Sequence, residues 1–280
     1  MIVSVPASSA NLGSGFDSLG MALTLHAVAG VGNPVDGAHV ADQHHPATVA
    51  FRRLGGEGDL WVKSPIPMGR GMGYSGAVRV CGLVAAHTQH HGADPEVLQS
   101  ALPDLLAHAA DLEGHADNVA ASLYGGVVAT AGGRAVRVPL TFDPAMVMWV
   151  PGFVTSTDES RTSLPTEVSM ADAVFNIGRT ALLVAALAAG DVASLREATR
   201  DRLHQSVRLR GAEPCRVAID TALAAGAWAA WLSGSGPTVA VMCPVDEADD
   251  LAAALTAAQT VDGHTKVLRI DHGGAVVETA

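Results

Sequence analysis

The feature that most constrains this chain is a loop with four glycines in eight residues, placed directly before a predicted helix. The loop spans residues 67–76 with the sequence PMGRGMGYSG, and the Ala, Val and Leu spacing from 75 to about 90 is helical. A glycine loop that opens a helix collects unpaired backbone N–H groups at the positive end of the helix dipole. Such a loop suits a di- or triphosphate. The fold must therefore present a helix N-terminus to a ligand.

Two known types of glycine loop fit this segment poorly. It is not a Walker A loop, because it has no Gly-Lys-Ser/Thr sequence. Gly71, Gly73 and Gly76 do satisfy the G-x-G-x-x-G pattern of dinucleotide-binding folds. That pattern needs a strand running straight into the first glycine and a second strand ending in Asp or Glu about 20 residues on. Here two prolines interrupt the approach and residues 92–115 predict more helix, so the context disfavours a Rossmann-type dehydrogenase.

Three other segments carry polar groups that suit a binding site. Residues 6–17, PASSANLGSGFD, follow a predicted strand and offer Asn11 and Asp17 on one glycine turn. Residues 232–238 form a tight turn before another strand. Residues 111–118 place at a helix end polar groups that suit a divalent metal and a substrate hydroxyl. Taken singly, these segments fit an ordinary Asn/Gly turn, a polar turn and the solvated end of a helix equally well.

Composition narrows the possible partners. The 280 residues include 28 acidic and 17 basic side chains, a formal net charge of −11, which argues against sequence-independent binding of nucleic acid. Apolar residues make up 49 %, and the mean hydropathy is +0.28, which excludes a disordered chain. Only Lys63 and Lys266 among the basic residues are lysines, so arginines, backbone N–H groups or a metal must bind any phosphate or carboxylate. No run of 18 apolar residues and no basic leader is present, which predicts a soluble, cytoplasmic protein.

Helices and strands mix along the chain without a regular βαβ period, which predicts an α+β fold. We expect two domains, at residues 1–142 and 143–280. The predicted strands are at 2–5, 21–31, 60–64, 146–150, 238–243 and 266–270, with a hairpin at 125–138. The predicted helices are at 48–54, 75–90, 95–100, 102–112, 169–187, 195–204 and 247–258, and Ser169 is the predicted N-cap of the helix at 169–187.

Together these segments resemble the GHMP small-molecule kinases, and within that family the homoserine kinases. Residues 6–17 match the pattern PASSANLGxGFD at each fixed position. Residues 67–77 are similar to the phosphate loop PxxxGLGSSAA, and residues 233–238 to the third motif of the family. Two further stretches, residues 113–126 and 155–179, resemble segments that are more specific to homoserine kinases.

The resemblance implies a fold and an activity. The fold would be a two-domain GHMP kinase fold, with an N-terminal nucleotide-binding α+β domain and a C-terminal ferredoxin-like α+β domain. The activity would be Mg-ATP-dependent phosphorylation of the L-homoserine hydroxyl to O-phospho-L-homoserine, a step of threonine biosynthesis. ATP and Mg²⁺ would be the cofactors, homoserine the partner in the reaction, and a homodimer the assembly, without nucleic acid or membrane.

The resemblance also implies roles for individual residues. The ATP phosphates would be surrounded by Pro67, Gly69, Arg70, Gly71, Met72, Gly73, Tyr74, Ser75 and Gly76. The metal would be bound by Ser75 and by Asp111, which stands where the family has glutamate. The amino group of homoserine would contact Asn11 and Asp17, its carboxylate Arg161 and Arg208, and its hydroxyl His115 and Asn118.

The implied mechanism is direct in-line transfer of the γ-phosphoryl group from ATP to a primary hydroxyl. Members of the family related to mevalonate kinases use an aspartate as the base. Here Asn118 occupies the homoserine kinase position, and an amide cannot act as a general base. We therefore expect catalysis by Asn118 and His115 without a dedicated protein base.

The sequence departs from the family pattern mainly near the nucleotide. Tyr74 stands where the phosphate loop has its first serine, and Gly76 where it has alanine. Asp111 replaces glutamate, and residues 44–47 lack the asparagine that members commonly place beside the adenine. These differences leave two alternatives open. One is a sister GHMP kinase that acts on another small hydroxy-amino acid or alcohol, and the other is a catalytically silent regulator that binds a nucleotide or an amino acid.

Overall fold

A computed structural model describes residues 1–155 and 157–278, and for residues 157–159 it describes the backbone only. The described strands are β1 (Ile2–Ala10), β2 (Leu19–Val31), β3 (His39–Val40), β4 (Leu60–Lys63), β5 (Val127–Ala131), β6 (Arg134–Val138), β7 (Ala145–Pro151), β8 (Ala229–Leu232), β9 (Val239–Cys243), β10 (Gly263–Arg269) and β11 (Val276–Glu278). The described helices are α1 (Pro46–Arg53), α2 (Tyr74–His91), α3 (Pro95–Glu113), α4 (Asp117–Tyr124), α5 (Thr157–Thr162), α6 (Met170–Ala189), α7 (Val192–Ala198), α8 (Gln205–Arg208), α9 (Glu213–Ala224) and α10 (Ala248–Ala257). The predicted α+β class is confirmed.

The first sheet has seven strands in the order β11-β1-β2-β4-β3, with the β5–β6 hairpin attached to β2. Strand β2 is long enough to pair with β5 along its first residues and with β4 along its last ones. Helix α2 packs across β1 and β2, and α1, α3 and α4 pack against α2. The buried residues of these elements form one continuous apolar core.

Strand β1 is longer than its sequence predicts. The sequence predicts a strand that ends at Pro6, because proline has no N–H to donate to a sheet, but pairing with β2 continues to Ala10. The register shifts between Pro6 and Ala7, so the proline lies at an irregularity of the ladder rather than within a regular stretch. The additional residues bring Asn11 to the carboxyl end of the strand, beside the glycine loop.

Helix α3 is a single helix, whereas the sequence predicts two helices on either side of residue 101. Pro103 lies within it and cannot donate the usual backbone hydrogen bond. The apolar stripe nevertheless continues across the proline and packs on α2, so tertiary burial outweighs the lost bond. The buried residues of the stripe are Leu98, Leu102, Leu105, Leu106 and Ala109.

The second sheet contains four antiparallel strands in the order β10-β7-β9-β8. Numbered within this half of the chain, the order is fourth, first, third, second, which is the ferredoxin-like arrangement that was predicted for the C-terminal domain. A separate core under this sheet contains Trp149 and Val241 together with apolar residues of α9 and α10.

The change of sheet lies near the predicted boundary at residues 142 and 143, because β6 ends at Val138 and β7 begins at Ala145. The last described strand does not follow this division. Strand β11 returns to the first sheet and pairs with β1, with Ile2 opposite Glu278. A division by residue number alone would therefore separate β11 from the sheet in which it lies.

Helix α6 begins at an N-cap, where the Ser169 side chain accepts a hydrogen bond from the Asp172 N–H, as its sequence predicts. By length and composition α6 would suffice to cross a membrane, with a mean hydropathy of 1.4 over 18 residues, of which 22 % are buried. Met170, Val174 and Ile177 form a strongly exposed apolar stripe along it. Much of the apolar surface of α6 thus faces outward.

Candidate active site

A single cleft collects most of the residues that the sequence singles out. It is formed by the glycine loop before α2, the turn after β1, the start of α4, and residues of the second half of the chain. Its lining includes the loop from Pro67 to Ser75 and also Asn11, Asp17, His115, Asn118, Arg161 and Arg208. Gly76 and Asp111, which were also predicted site residues, are not part of this lining.

The glycine loop needs its glycines because of backbone conformation and close contacts. Gly69, Gly71 and Gly73 have φ values of +67°, +72° and +68°, a region that L side chains rarely adopt. A Cβ on Gly71 would lie 2.2 Å from the Ser233 carbonyl oxygen, and one on Gly73 would lie 2.0 Å from Ser8 Oγ. Since Gly73 is also the N-cap of α2 and has no side chain, the first N–H groups of α2 remain available to a ligand in the cleft.

The turn at residues 232–238 binds the glycine loop through Ser233. Ser233 Oγ donates a hydrogen bond to the Gly71 carbonyl oxygen at 2.6 Å and lies 2.8 Å from Ser9 Oγ. The Trp231 indole N–H donates to Ser9 Oγ at 3.1 Å. This buried chain of hydrogen bonds joins β8, β1 and the loop, so the three glycine-rich segments predicted from the sequence meet at one place.

The Arg70 side chain is bonded to the second half of the chain. Its Nε and Nη2 atoms donate to the carbonyl oxygens of Pro151 and Gly152 at 3.0 Å and 2.9 Å. The guanidinium therefore fixes the loop to the end of β7. Gly76 faces α4, where a Cβ would lie 3.2 Å from Val119 Cγ1.

The carboxylate beside the loop is Glu113, and Asp111 lies elsewhere. Ser75 Oγ donates to Glu113 Oε2 at 2.8 Å, and the Glu113 side chain is only 12 % exposed. The Asp111 side chain is 66 % exposed and pairs with Arg53 at 2.6 Å outside the cleft. Residues two apart on a helix point in nearly opposite directions. The placement of a metal-binding carboxylate at Asp111 therefore disagrees with the structure.

The sequence pattern of α3 distinguishes Glu113 from Asp111. The buried stripe of α3 runs through Leu102, Leu105 and Ala109, and its next position four residues on is Glu113. An ionisable residue that continues an apolar stripe at the end of a helix faces the interior of the protein. Asp111 lies off that stripe.

Arg79 is a further neighbour of this carboxylate that sequence reasoning missed. Its Nε lies 2.6 Å from Glu113 Oε2 and 3.2 Å from Ser75 Oγ. Ser75 and Arg79 are one helical turn apart, which places both on the face of α2 that meets the end of α3. The arginine fixes the carboxylate through one oxygen and leaves Oε1 for other contacts.

The oxygen donors fit a magnesium ion that arrives bound to phosphates. Mg²⁺ prefers carboxylate and hydroxyl oxygens, and it is usually held by one or two protein ligands together with substrate phosphates. Glu113 and Ser75 supply that number at the N-terminus of α2. In the described part of the chain no group of three or more His, Cys, Asp and Glu side chains is arranged to hold a metal by itself.

The turn after β1, which also lines the cleft, has a strained backbone. Asn11, Leu12 and Asp17 have positive φ values, which cost energy in residues other than glycine. The Asn11 amide stabilises this turn, because its Nδ2 donates to the Gly234 carbonyl oxygen at 2.9 Å and its Oδ1 accepts the Asp17 N–H at 3.1 Å. Asn11 thus fixes the position of Asp17 in the cleft.

Asp17 is paired with Arg161 through two hydrogen bonds. The guanidinium Nη1 and Nη2 atoms donate to the two carboxylate oxygens at 2.8 Å and 2.9 Å. The Arg161 and Arg208 guanidinium groups lie 5.9 Å and 5.4 Å from the centre of the Phe16 ring. The predicted amino-group and carboxylate-binding residues are therefore neighbours, with an anion and two cations within one small region.

His204 positions Arg208 and was not predicted as a site residue. It is fully buried, its Nε2 lies 2.8 Å from the Gly13 carbonyl oxygen, and its ring stacks on Phe16. Because Nε2 must carry the proton to donate to a carbonyl, Nδ1 accepts a hydrogen bond from Arg208 Nη1 at 3.1 Å. Burial lowers the pKa of His204, which keeps this neutral form, and burial and the nearby Arg161 lower the pKa of Arg208.

The sequence predicts a helix over 195–204, but α7 ends at Ala198. The backbone N–H groups that follow bind a buried carboxylate instead of helix carbonyl groups. Asp201 accepts hydrogen bonds from the backbone N–H groups of Leu203, His204 and Gln205. Such a side chain offers the backbone an alternative to a helix. The resulting loop brings His204 under the turn after β1.

His115 and Asn118 lie at the start of α4, a helix that the sequence analysis did not predict. His115 Nδ1 lies 2.7 Å from Asp117 Oδ1, which also accepts the Asn118 N–H at 2.7 Å. Burial tends to lower the pKa of His115, but the hydrogen bond and charge of Asp117 outweigh it, and the pKa is raised above 6.5. Asn118 Oδ1 accepts from Ser8 Oγ at 2.9 Å, so the amide nitrogen is the end that can donate to a ligand.

Comparison with known proteins agrees with this geometry. The family model described as "GHMP kinases N terminal domain" matches residues 40–126, and "GHMP kinases C terminal" matches residues 183–260. A homoserine kinase of Thermus thermophilus is 39 % identical over 285 residues, covering 96 % of this chain and 96 % of that protein. Homoserine kinase of Desulfitobacterium hafniense is 36 % identical over 306 residues, covering 98 % and 99 %.

Solved structures share the fold. The crystal structure of homoserine kinase from Cytophaga hutchinsonii is 24 % identical, with a TM-score of 0.85 and coverage of 99 % of this chain and 97 % of that one. Mevalonate kinase of Methanococcus jannaschii is 12 % identical, with a TM-score of 0.67 and coverage of 96 % and 98 %. At these identities the two likenesses show the fold alone. From the sequence relatives and the two family models, the chain belongs to the homoserine kinase branch of the GHMP kinase family.

Proposed function

We propose that this protein transfers the γ-phosphoryl group of ATP to the side-chain hydroxyl of L-homoserine, giving O-phospho-L-homoserine for threonine biosynthesis. The observation that carries the proposal is the cleft itself. Its lining combines a glycine loop that opens a helix, the proposed donor end, with an aspartate beside two arginines, the proposed acceptor end. A phosphate donor and a zwitterionic amino acid can therefore bind side by side.

The acceptor end suits homoserine by charge. The ammonium group would bind Asp17, and the carboxylate would bind the guanidinium groups of Arg161 and Arg208, since planar forks match carboxylate geometry. Asn11 supports this arrangement by fixing the turn on which Asp17 lies. The near absence of lysine from the chain agrees with an anion site built from arginines.

The donor end suits the phosphates of ATP. The backbone N–H groups of the loop and of the first turn of α2 would bind the phosphate oxygens. Ser75 and Glu113 would hold a magnesium ion that ATP brings with it, and Mg²⁺ supplies charge neutralisation for the transferring group. Arg79 would keep the Glu113 carboxylate fixed toward the loop.

The acceptor hydroxyl would be oriented by Asn118 and His115. With Oδ1 engaged by Ser8, the Asn118 amide nitrogen donates to the hydroxyl oxygen, and with Nδ1 on Asp117, the His115 Nε2 is the atom left to reach the cleft. In-line phosphoryl transfer has a loose transition state, so positioning and charge neutralisation provide most of the rate enhancement. We propose that no protein base removes the proton, which leaves late or passes to a phosphate oxygen.

A substrate panel tests this function. ADP release with Mg-ATP is measured against homoserine, threonine, serine and mevalonate, and turnover with homoserine alone is the expected result. Equal or greater turnover with another alcohol would replace homoserine as the substrate and support a sister kinase. If homoserine raises the Tm without any turnover, and Tyr74→Ser restores turnover, the protein is a binding regulator instead.

We also propose a cytoplasmic homodimer. The exposed stripe of Met170, Val174 and Ile177 on α6 repeats at helical spacing and would be buried against a second copy of the chain. Sedimentation velocity should give a dimer for the wild type and a monomer for Ile177→Glu. A monomeric wild type at micromolar concentration would contradict the proposal.

A further inference from the structure

Tyr74, the first residue of α2, is part of an aromatic cluster at the edge of the cleft. Its ring contacts His45 edge-on, with centroids 6.5 Å apart and planes at 77°, and its hydroxyl lies 3.2 Å from His45 Nε2. His39 contacts the other side of His45, with centroids 6.0 Å apart. Tyr74 lines the cleft, whereas the histidines stand behind it. The Tyr74 ring is thus part of the wall of the cleft.

The direction of the hydrogen bond between His45 and Tyr74 is set by a second contact. His45 is the N-cap of α1, and its Nδ1 accepts the Ala47 N–H at 3.1 Å. A ring nitrogen that accepts carries no proton, so the neutral ring has its proton on Nε2 and donates it to the Tyr74 oxygen. Burial and the neighbouring His39 lower the pKa of His45, which favours this neutral form. The hydroxyl hydrogen of Tyr74 is therefore left to donate to a ligand.

The contacts of the glycine loop place Tyr74 on the side of the loop that faces away from the proposed homoserine site. Gly71 approaches the Ser233 turn, and Gly73 approaches Ser8 and Asn118. The next residue, Tyr74, turns instead toward His45 and α1. The phosphates would bind along the loop with the terminal phosphate near Asn118. The nucleoside at the other end of the phosphate chain would then lie beside the Tyr74 ring.

We propose that Tyr74 is a nucleobase-binding residue, that its ring contacts the base of the bound nucleotide, and that His45 is the residue that positions it. The inference rests on the proposed function, since it assumes that the loop holds a nucleotide. The sequence departs from its family at Tyr74 and in the segment 44–47, and these two departures contact each other. The inference gives both of them one role. Every nucleobase has a π-face, so contact with the ring binds bases with little discrimination among them.

Binding of ADP and of inorganic tripolyphosphate, measured by calorimetry, tests the role of Tyr74. Tyr74→Ser should raise the Kd of ADP by on the order of tenfold, the loss typical of one aromatic–base contact, and leave that of tripolyphosphate unchanged. Tyr74→Phe keeps the ring and should retain most of the ADP affinity. Tyr124→Ser changes the only other tyrosine of the chain, outside the cleft, and is the matched control.

The outcomes separate this inference from the proposed function. If the wild type binds ADP but Tyr74→Ser weakens neither probe, or weakens both equally, Tyr74 does not contact the base and the inference is overturned while the kinase function stands. If the wild type binds neither ADP nor tripolyphosphate, the proposed function fails and the inference fails with it.

Two substitutions of His45 test the positioning role. An asparagine side chain has an acceptor at about the position of His45 Nδ1, so it can cap α1 but cannot reach Tyr74. A glutamine side chain extends about as far as Nε2, so it can reach Tyr74 but caps the helix less well. His45→Asn should keep the Tm and raise the Kd of ADP severalfold, and His45→Gln should lower the Tm and keep ADP binding. The opposite pattern, or loss of ADP binding in proportion to lost stability, would show that His45 only caps α1.

Discussion

In the proposed function, homoserine binding opens the pair between Asp17 and Arg161, and the Asp17→Asn variant compares the free energy of that opening with the free energy of the new contacts. In the free protein the two side chains are 36 % and 43 % exposed, so their pairing is worth only about 0.2–1 kcal/mol. A hydrogen bond from the substrate ammonium to the charged Asp17 is worth about 1.5–3 kcal/mol. The substrate supplies a new cation for Asp17 and a new anion for Arg161, so no charge is left without a partner. The exchange favours binding.

The magnitude for Asp17→Asn is the difference between these two quantities. The variant loses the ionic contact with the ammonium but no longer has to separate Arg161 from its partner. The net loss is about 0.5–2.8 kcal/mol, a rise in the homoserine KM of about 2- to 100-fold. The ATP KM should stay near its wild-type value, because Asp17 is bonded to Arg161 and to Asn11, whereas Ser75 and Glu113 are bonded to each other.

Initial rates at saturating Mg-ATP over a range of homoserine concentrations provide the measurement. Asp111→Asn is the matched control, since it also breaks an aspartate–arginine pair, with Arg53, but outside the cleft. An unchanged homoserine KM in Asp17→Asn, or the same change in both variants, would refute the assignment of Asp17. A lower KM would show that opening the pair limits binding.

The same geometry leads to three more predictions. Gly73→Ala should lower the free energy of unfolding, measured by urea titration, by about 2–3 kcal/mol. Alanine is strained in the left-handed backbone of residue 73, and its Cβ would lie 2.0 Å from Ser8 Oγ. A loss under about 0.5 kcal/mol would contradict this prediction. Glu113→Gln should raise the Mg²⁺ concentration for half-maximal rate by about tenfold or more, whereas Asp111→Asn should leave it unchanged, and the reverse order would restore Asp111 as the metal ligand. The raised pKa of His115 means that its pairing with Asp117 stabilises the protein fully below pH 6.5 and that this contribution is lost as the pH rises through the raised pKa. The difference in unfolding free energy between the wild type and His115→Gln should therefore shrink from pH 5.5 to pH 9, and a constant or growing difference would contradict the pairing.

Local chemistry accounts for the parts of the molecule that the sequence predicts well. The glycine loop, the N-cap at Ser169 and the hairpin at 125–138 depend on residues that are neighbours in the chain. The predicted α+β class and the ferredoxin-like C-terminal sheet are implied by the resemblance, and both are confirmed. The substrate and nucleotide roles of individual residues remain predictions, although the structure places most of these residues in one cleft.

The parts that were missed depend on distant contacts or on which face of a helix a residue occupies. His204 acts through Gly13, 191 residues earlier, and no local pattern reveals that approach. Arg70 was assigned to the nucleotide because of its position in the loop, but its side chain binds the end of β7. Glu113 and Asp111 differ by half a helical turn, which the apolar stripe of α3 could have resolved.

Strand β11 has a consequence for synthesis of the chain. Until residues 276–278 have left the ribosome, the outer edge of β1 has no partner, although β1 carries the turn with Asn11 and Asp17. An unpaired edge strand readily joins another chain, so nascent or truncated molecules that stop before β11 expose a site for aggregation.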